Sequence, residues 1–255
     1  MRRVKTCWIS DLHLGSTQCQ ADKLREFLKI IQPEKLYLVG DIIDFWALSR
    51  KSYWPTDHNT VLQKILRMAR HGVEVIYIPG NHDSPVRDLA GMSFGNVQVK
   101  LDDIHEMIDG RKFLVTHGDQ FDTISNHYGW LSKFGAIGYD FLLQLNRLMR
   151  FFQKLLGIKS HFSLSSFIKY KVKNVVKFIS DYEHEIIDIV KSLNLDGIIC
   201  GHIHHAELIS HYNFLYLNTG DWVESLTAIV ETHNGDLILL QYSENMLNEI
   251  KKISI

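Results

Sequence analysis

Seven side chains with metal-binding chemistry fall into five short clusters: Asp11-Leu12-His13, Gly40-Asp41, Gly80-Asn81-His82-Asp83, His117-Gly118-Asp119 and Gly201-His202-Ile203-His204. Imidazole nitrogens, carboxylate oxygens and one amide oxygen make a borderline donor set, suited to manganese, iron or zinc rather than to magnesium or calcium alone. Asp11, His13, Asp41, Asn81, His117, His202 and His204 are too many ligands for one ion. Two ions can share them if a carboxylate such as Asp41 bridges, and such a pair activates water and stabilises both the entering and the leaving oxygen in displacement at phosphorus. The chemistry indicated is hydrolysis of a phosphate ester or anhydride. His82 is not needed as a ligand, so it is expected to donate a proton to the leaving oxygen, with Asp83 orienting it. Asp44 and Asp119 are expected to hold ligand histidines in one tautomer.

These side chains need elements that bring them to one point. The β-rich run Val4 to Ser10 ends at Asp11, a helical pattern follows at Leu24, Phe27, Leu28 and Ile31, and Leu36 to Val39 reads as a second strand. The alternation repeats. Val61, Leu62, Ile65, Leu66 and Ala69 have helical spacing, His71-Gly72 closes that helix, and Val73 to Ile78 is a strand stopped by Pro79-Gly80. Further strands are expected at 97–100, 104–108, 112–116, 197–200, 214–218, 226–231 and 236–242, the last two joined by a two-residue hairpin at Asn234-Gly235. Each cluster therefore sits where a strand runs out, which is where ligand groups converge in α/β sheets. Residues two apart in an extended chain point the same way, so Asp11 with His13, and His202 with His204, are each expected to address the metals as a pair.

The 255 residues are 45% hydrophobic and 22% charged, enough for one sizeable core. Cys7, Cys19 and Cys200 form no CxxC pair, so neither a disulfide framework nor a cysteine zinc site is indicated, and a reducing cytosolic setting fits. They are expected in strand cores. No window approaches the ~20 apolar residues of a membrane span, and the N-terminal apolar run is too short for a signal peptide. Formal net charge is −1, yet residues 141–180 hold eight Lys/Arg and no Asp or Glu. Two amphipathic helices are expected there, the first basic on one face. Stacking aromatics do not interleave with those charges, so nucleic acid is not an expected partner. The histidines outside the clusters, His58 and His105 among them, are expected to be surface or capping residues.

In order, D-x-H, G-D-x-x-D, G-N-H-D, H-G-D and G-H-x-H resemble the calcineurin-like metallophosphoesterase superfamily. The resemblance implies an α/β (α+β) fold, a four-layer αββα sandwich in one domain spanning 1–255, with a helical lid insertion at about 128–193. It implies one ion at Asp11, His13 and His204, the other at Asn81, His117 and His202, Asp41 bridging, and His82 as general acid supported by Asp83. Within the superfamily, nearly the whole chain is similar to the UDP-2,3-diacylglucosamine pyrophosphohydrolases of lipid A biosynthesis. The likeness runs through Ile9 to Leu14, Gly40 to Trp46, His117-Gly118-Asp119, Gly201 to His204 and Gly220-Asp221-Trp222. It implies a nucleotide-lipid substrate, two manganese ions (or iron or zinc), and Asp122, Asn126, His127 and Tyr128 near the substrate. A peripheral position on the inner face of the cytoplasmic membrane is implied too, where a basic lid gains about 1 kcal/mol per Lys or Arg. One departure is His82, where that family carries Arg. Arg stabilises an oxyanion but is a poor proton donor, whereas His donates near neutral pH. A soluble phosphodiesterase or phosphatase for nucleotides or small esters therefore stays open as an alternative, as does a non-catalytic binding scaffold, although no metal ligand is missing. Nothing in the chain indicates an oligomeric state.

Overall fold

Leu36 and Leu38 face one way, Tyr37 and Val39 the other, and all four are buried, so this strand is covered on both faces. The computed structural model describes residues 2–123, 186–187, 189–211 and 214–254. Its elements run β1 (Arg2–Ile9), α1 (Ala21–Ile30), β2 (Ile31–Val39), α2 (Phe45–Arg50), α3 (Thr56–Arg70), β3 (Glu74–Ile78), β4 (Ser93–Phe94), β5 (Val97–Val99), β6 (Asp103–Glu106) and β7 (Lys112–Val115). After the insertion come β8 (Gly197–Cys200), β9 (Glu207–His211), β10 (Phe214–Asn218), β11 (Thr227–Glu231), β12 (Leu237–Ser243) and β13 (Met246–Ile253). One sheet has the order β13-β12-β11-β1-β2-β3-β5-β4 and the other β6-β7-β8-β10-β9. In the first, β1, β2, β3 and β5 are parallel; in the second, β7, β8 and β10 are parallel.

Two cores follow from the strand alternation. Leu36, Leu38 and Val75 join Leu24, Phe27 and Leu28 of α1 and Val61, Ile65 and Met68 of α3, which seals the helical layer on the larger sheet. On the other face, Trp8, Tyr37, Val39, Ile76 and Ile78 meet Phe113, Val115, Ile199, Leu215 and Leu217, which joins the two sheets. Ile198 and Tyr216 face away from that interior and are also buried, so the smaller sheet is covered on its outer side as well. The architecture is the expected mixed α/β sandwich.

Several local expectations need correction. The first helix stops at Ile30 and Ile31 already belongs to β2, because Pro33 disfavours a helical conformation at Gln32. The Asn234-Gly235 turn is not a two-residue hairpin. Thr232 N–H donates to Asp236 O and Gly235 N–H to Thr232 O, and only Gly235 has positive φ (89°), giving a three-residue loop. The two-residue turn lies one hairpin later, at Glu244 (φ 50°) and Asn245 (φ 62°), between the paired Ser243 and Met246. Strands β4, β9 and β13 were not anticipated. Cys7 and Cys200 lie in buried strands as expected, but Cys19 sits partly buried ahead of α1.

The chain divides into one compact unit, Met1–Gln120 with Ile187–Ile255, and a second, Phe121–Ile186. The insertion expected at about 128–193 lies outside the described residues as far as 185, and of its remainder residues 186–187 and 189–192 are helical.

Candidate metal centre

Parallel pairing places the C-terminal ends of β1, β2 and β3, and those of β7, β8 and β10, each at one end of their sheet. The five clusters follow five of these ends, and Asp221 follows the sixth. The chain does not leave the strands extended. Asp11 (φ 51°), His13 (φ 51°), Asp41 (φ 53°), His202 (φ 71°) and His204 (φ 55°) all adopt left-handed backbone, so five of the seven expected ligands carry a conformation costing about 1–2 kcal/mol each. Asp11 and His13 thus reach a common point through left-handed turns, not through the two-residue alternation of a strand. Inter-loop hydrogen bonds hold these turns: Asp11 N–H donates to Gly40 O at 3.0 Å, His13 N–H to Asp41 O at 2.9 Å, and Gly201 N–H to His117 O at 3.1 Å. A Cβ on Gly80 would run into Asp41 Oδ1, and one on Gly201 into Asp11 Oδ2, so both positions exclude larger residues.

The side chains converge on two carboxylates. Asp41 Oδ2 lies 3.5 Å from His117 Nε2 and 3.9 Å from both His13 Nε2 and His82 Nε2. Asp11 Oδ1 lies 3.2 Å from His204 Nε2 and 3.9 Å from His13 Nε2, and is buried with no well-aligned hydrogen-bond donor among the described residues. Asn81 Oδ1 is 3.3 Å from His117 Nε2, and the His202 ring meets that of His117 edge-on at 5.1 Å. His13 Nδ1–H donates to Asp44 Oδ2 at 3.1 Å and His117 Nδ1–H to Val39 O at 3.0 Å. These bonds leave the Nε2 lone pairs turned toward the carboxylates, as metal ligation requires. Among the described residues, three groups could each hold a cation: Asp11, His13 and His204; His13, Asp41 and His82; Asp11, Asp41 and His117. An orphaned carboxylate oxygen and inward nitrogen lone pairs fit divalent metal ions, which the described chain does not otherwise replace.

Electrostatics point the same way. Burial alone would raise the Asp11 carboxyl, but His204, His117 and His13 hold it well below the usual carboxylate range. Burial would lower His117 and His204, yet Asp41 and Asp11 push His117 up to about 10, and chiefly Asp11 pushes His204 up to about 9. Protons and metal ions therefore compete for these imidazoles.

The residues around the ligands differ from expectation in an informative way. The Asp83 carboxylate makes no hydrogen bond to the His82 ring among the described residues. Its carboxylate accepts Gly80 N–H at 2.5 Å, Ile42 N–H at 2.9 Å, Asp41 N–H at 3.2 Å and Tyr77 Oη–H at 2.6 Å, so it pins the backbone of two loops. Asp44 takes the orienting part: His82 Nδ1–H donates to its Oδ1 at 3.0 Å, opposite the bond from His13. Burial depresses His82, but the Asp44 hydrogen bond together with the charges of Asp41, Asp44 and Asp11 outweighs it and raises its pKa. The Trp46 ring covers His82 at 4.1 Å. Asp119 does not bond a ligand histidine through its carboxylate; Oδ2 accepts from Arg87 at 2.7 Å, and Oδ1 is buried with no hydrogen-bond partner among the described residues. Asp122 lies in a short 3-10 helix, Asp119–Thr123, while its side chain and all of Asn126, His127 and Tyr128 lie outside the described residues.

Other contributors had weak sequence signals. Ser10 Oγ–H donates to Asp11 Oδ2 at 2.5 Å, and Asp221 Oδ2 stands 3.8 Å from His204 Nδ1 while its other oxygen accepts three backbone N–H groups. Gly220-Asp221 repeats the Gly-Asp pattern of residues 40–41, which was the available clue. His58 is buried, not a surface residue, and its Nδ1 accepts Gly15 N–H at 2.9 Å, two residues beyond His13.

A calcineurin-like phosphoesterase family model matches residues 4–206. A UDP-2,3-diacylglucosamine hydrolase of Histophilus somni (strain 129Pt) is 27% identical over 245 residues, covering 91% of this chain and 97% of its own length. A protein of the same name from Neisseria gonorrhoeae (strain ATCC 700825 / FA 1090) is 26% identical over 247 residues, covering 90% and 94%. Among solved structures, Vacuolar Protein Sorting 29 from Cryptosporidium parvum aligns over 98% of this chain and 97% of its own at 12% identity, with a TM-score of 0.49.

Proposed function

The chain belongs to the calcineurin-like phosphoesterase family and is a metal-dependent hydrolase, and from that premise we propose that it cleaves the diphosphate of a UDP-2,3-diacylglucosamine-type nucleotide-lipid. One observation carries the substrate: relatives of that name align with 90% or more of this chain and of their own length. In this reading Asp11, His13 and His204 hold one ion, Asn81, His117 and His202 the other, and Asp41 bridges. Its oxygen facing three imidazole nitrogens supports that place. When bound, the two ions, for which manganese suits the mixed donors, supply an acidified water and charge stabilisation at phosphorus. Asp44 accepts Nδ1–H from both His13 and His82, and the raised pKa of His82 favours its imidazolium, whose second proton, on Nε2, faces the centre. Trp46 keeps water from that ring's face. Water oxygen bonds to phosphorus, the anhydride oxygen leaves with the lipid 1-phosphate, and UMP is the other product. The proposal includes the lid and a peripheral position at an anionic membrane, supported by the eight Lys/Arg without an acid over 141–180. No helix among the described residues is long and apolar enough to cross a membrane.

His82 favours a second reading. A phosphate leaving group departs readily unprotonated, whereas an alkoxide needs a proton, so a histidine donor held by Asp44 suits an ester whose leaving group is a poor one. The two readings separate in one experiment with manganese-loaded protein. Release of UMP from UDP-2,3-diacylglucosamine, with His82→Ala costing less than about tenfold, supports the lipid; no release above a metal-free control rejects it. Turnover confined to alkyl phosphodiesters, lost on His82→Ala, establishes the second.

A further inference from the structure

A cavity of about 290 Å³ opens between the C-terminal halves of α1 and α3 and the start of β2. Lys29, Lys64, Arg67 and His71 line it above an apolar floor that includes Leu28 and Met68, and no carboxylate is among its lining residues. Lys29 is paired with Glu26 at 2.8 Å, but Lys64 and Arg67 have no ion pair among the described residues. Lys64 and Arg67 stand three apart on α3, where like charges oppose one another, and His71 caps the helix four residues on. Capping does not account for them. Gly72 N–H donates to Ala69 O and Val73 N–H to Met68 O, each at 3.1 Å, so backbone groups already satisfy the last carbonyls of α3.

We propose that this cavity is a second ligand site, for a phosphate-bearing molecule with a small apolar portion. Arg67 offers a planar fork that matches phosphate oxygens, Lys64 and Lys29 add point charges, and Leu28 and Met68 accept the apolar part. The volume lies at the lower end of small-ligand pockets, the size of a phosphate ester or a lipid head group rather than of a whole nucleotide. The site is separate from catalysis. β2 begins at Ile31 beside the cavity and Asp41 follows its far end, and at about 3.3 Å per residue the two sites are roughly 30 Å apart. Binding here therefore goes beyond the hydrolase reading and does not depend on it.

The test compares the manganese-loaded full chain with its Lys64→Glu/Arg67→Glu double variant, and with Lys64→Gln/Arg67→Gln as the milder form that keeps the helix. Calorimetric titration with glycerol 3-phosphate, at ionic strength matched with sodium chloride, reports a metal-centre event in all three proteins. An additional event in the wild type, weakened at least about tenfold in both variants while the rise in melting temperature on adding manganese stays unchanged, supports the site. Sedimentation with phosphatidylcholine vesicles, with and without phosphatidic acid, distinguishes the source: loss of phosphatidic acid-dependent binding in the variants assigns a lipid head group, and loss of the soluble event alone assigns a free ester. Equal behaviour of wild type and variants toward both probes, or no binding of either beyond the metal centre, overturns the proposal.

Discussion

Asp44 joins two histidines that the chain separates by 69 residues, one an expected ligand and the other the expected proton donor. Replacing it with Asn keeps the shape and removes the charge, so Asp44→Asn should lose about 10–100-fold in activity or metal affinity. Steady-state rates across a manganese titration separate the two losses. Asp83 behaves differently. Its oxygens serve three backbone N–H groups and the Tyr77 hydroxyl, so Asp83→Ala leaves several buried donors unpaired at about 1–3 kcal/mol each. A fall in denaturation midpoint with the pH profile of the folded fraction unchanged would agree; retained stability with an altered profile would return Asp83 to catalysis. Both carboxylates were visible as candidates in the chain, one three residues from Asp41 and one adjacent to His82. Asp44 keeps the bond to His13 expected of it and adds the bond to His82 expected of Asp83, because sequence adjacency says nothing about which way a side chain points after a turn.

At the scale of elements, the strands were legible because alternation of buried residues is a local property, and ten of them could be read without neighbours. Turn geometry was less so. Glu244 and Asn245 both hold positive φ, a requirement that Asn-Gly meets at lower cost, so Glu244→Asn/Asn245→Gly should stabilise the chain by about 0.5–1 kcal/mol, read as a higher unfolding midpoint. Unchanged or lower stability would mean that the turn does not adopt this form in solution. Gly201→Ala should act in the opposite direction and at the site, since its Cβ would displace the Asp11 carboxylate and the Ser10 hydroxyl. Metal content of the purified variant checks this directly, and a full complement would contradict it.

Within the larger unit, a polar cluster joins the two sheets. Glu231 accepts from Thr6 Oγ1 and His105 Nε2 at 3.1 Å each and from Ile108 N–H at 2.8 Å, while the Trp8 ring meets His105 edge-on. Burial would raise the Glu231 carboxyl, but His105 and the Ile108 amide lower it below the ordinary 4.5. A folded-state pKa below the unfolded one contributes stability above about pH 4.5 that is lost as pH falls through the lower folded value. The stability gap between wild type and Glu231→Gln should therefore be widest near neutral pH and close in acid; a gap constant from pH 7 to pH 3 would contradict the linkage. Metal binding stabilises the same body, because ions that bind only the folded chain shift its equilibrium. A chelator should lower the melting temperature, and added manganese restore it.

The sequence by itself determined the sheet-rich α/β architecture and the metal-dependent hydrolase class, because donor residue types and strand periodicity are written in short runs of residues. Tertiary structure decided the rest. It placed Asp44 rather than Asp83 on His82, put five expected ligands into left-handed backbone, and buried His58 and His105 where the chain alone suggested surface. The physical reason is common to all three: each depends on hydrogen bonds between segments distant in the chain, and such bonds exist only after the fold has brought those segments together.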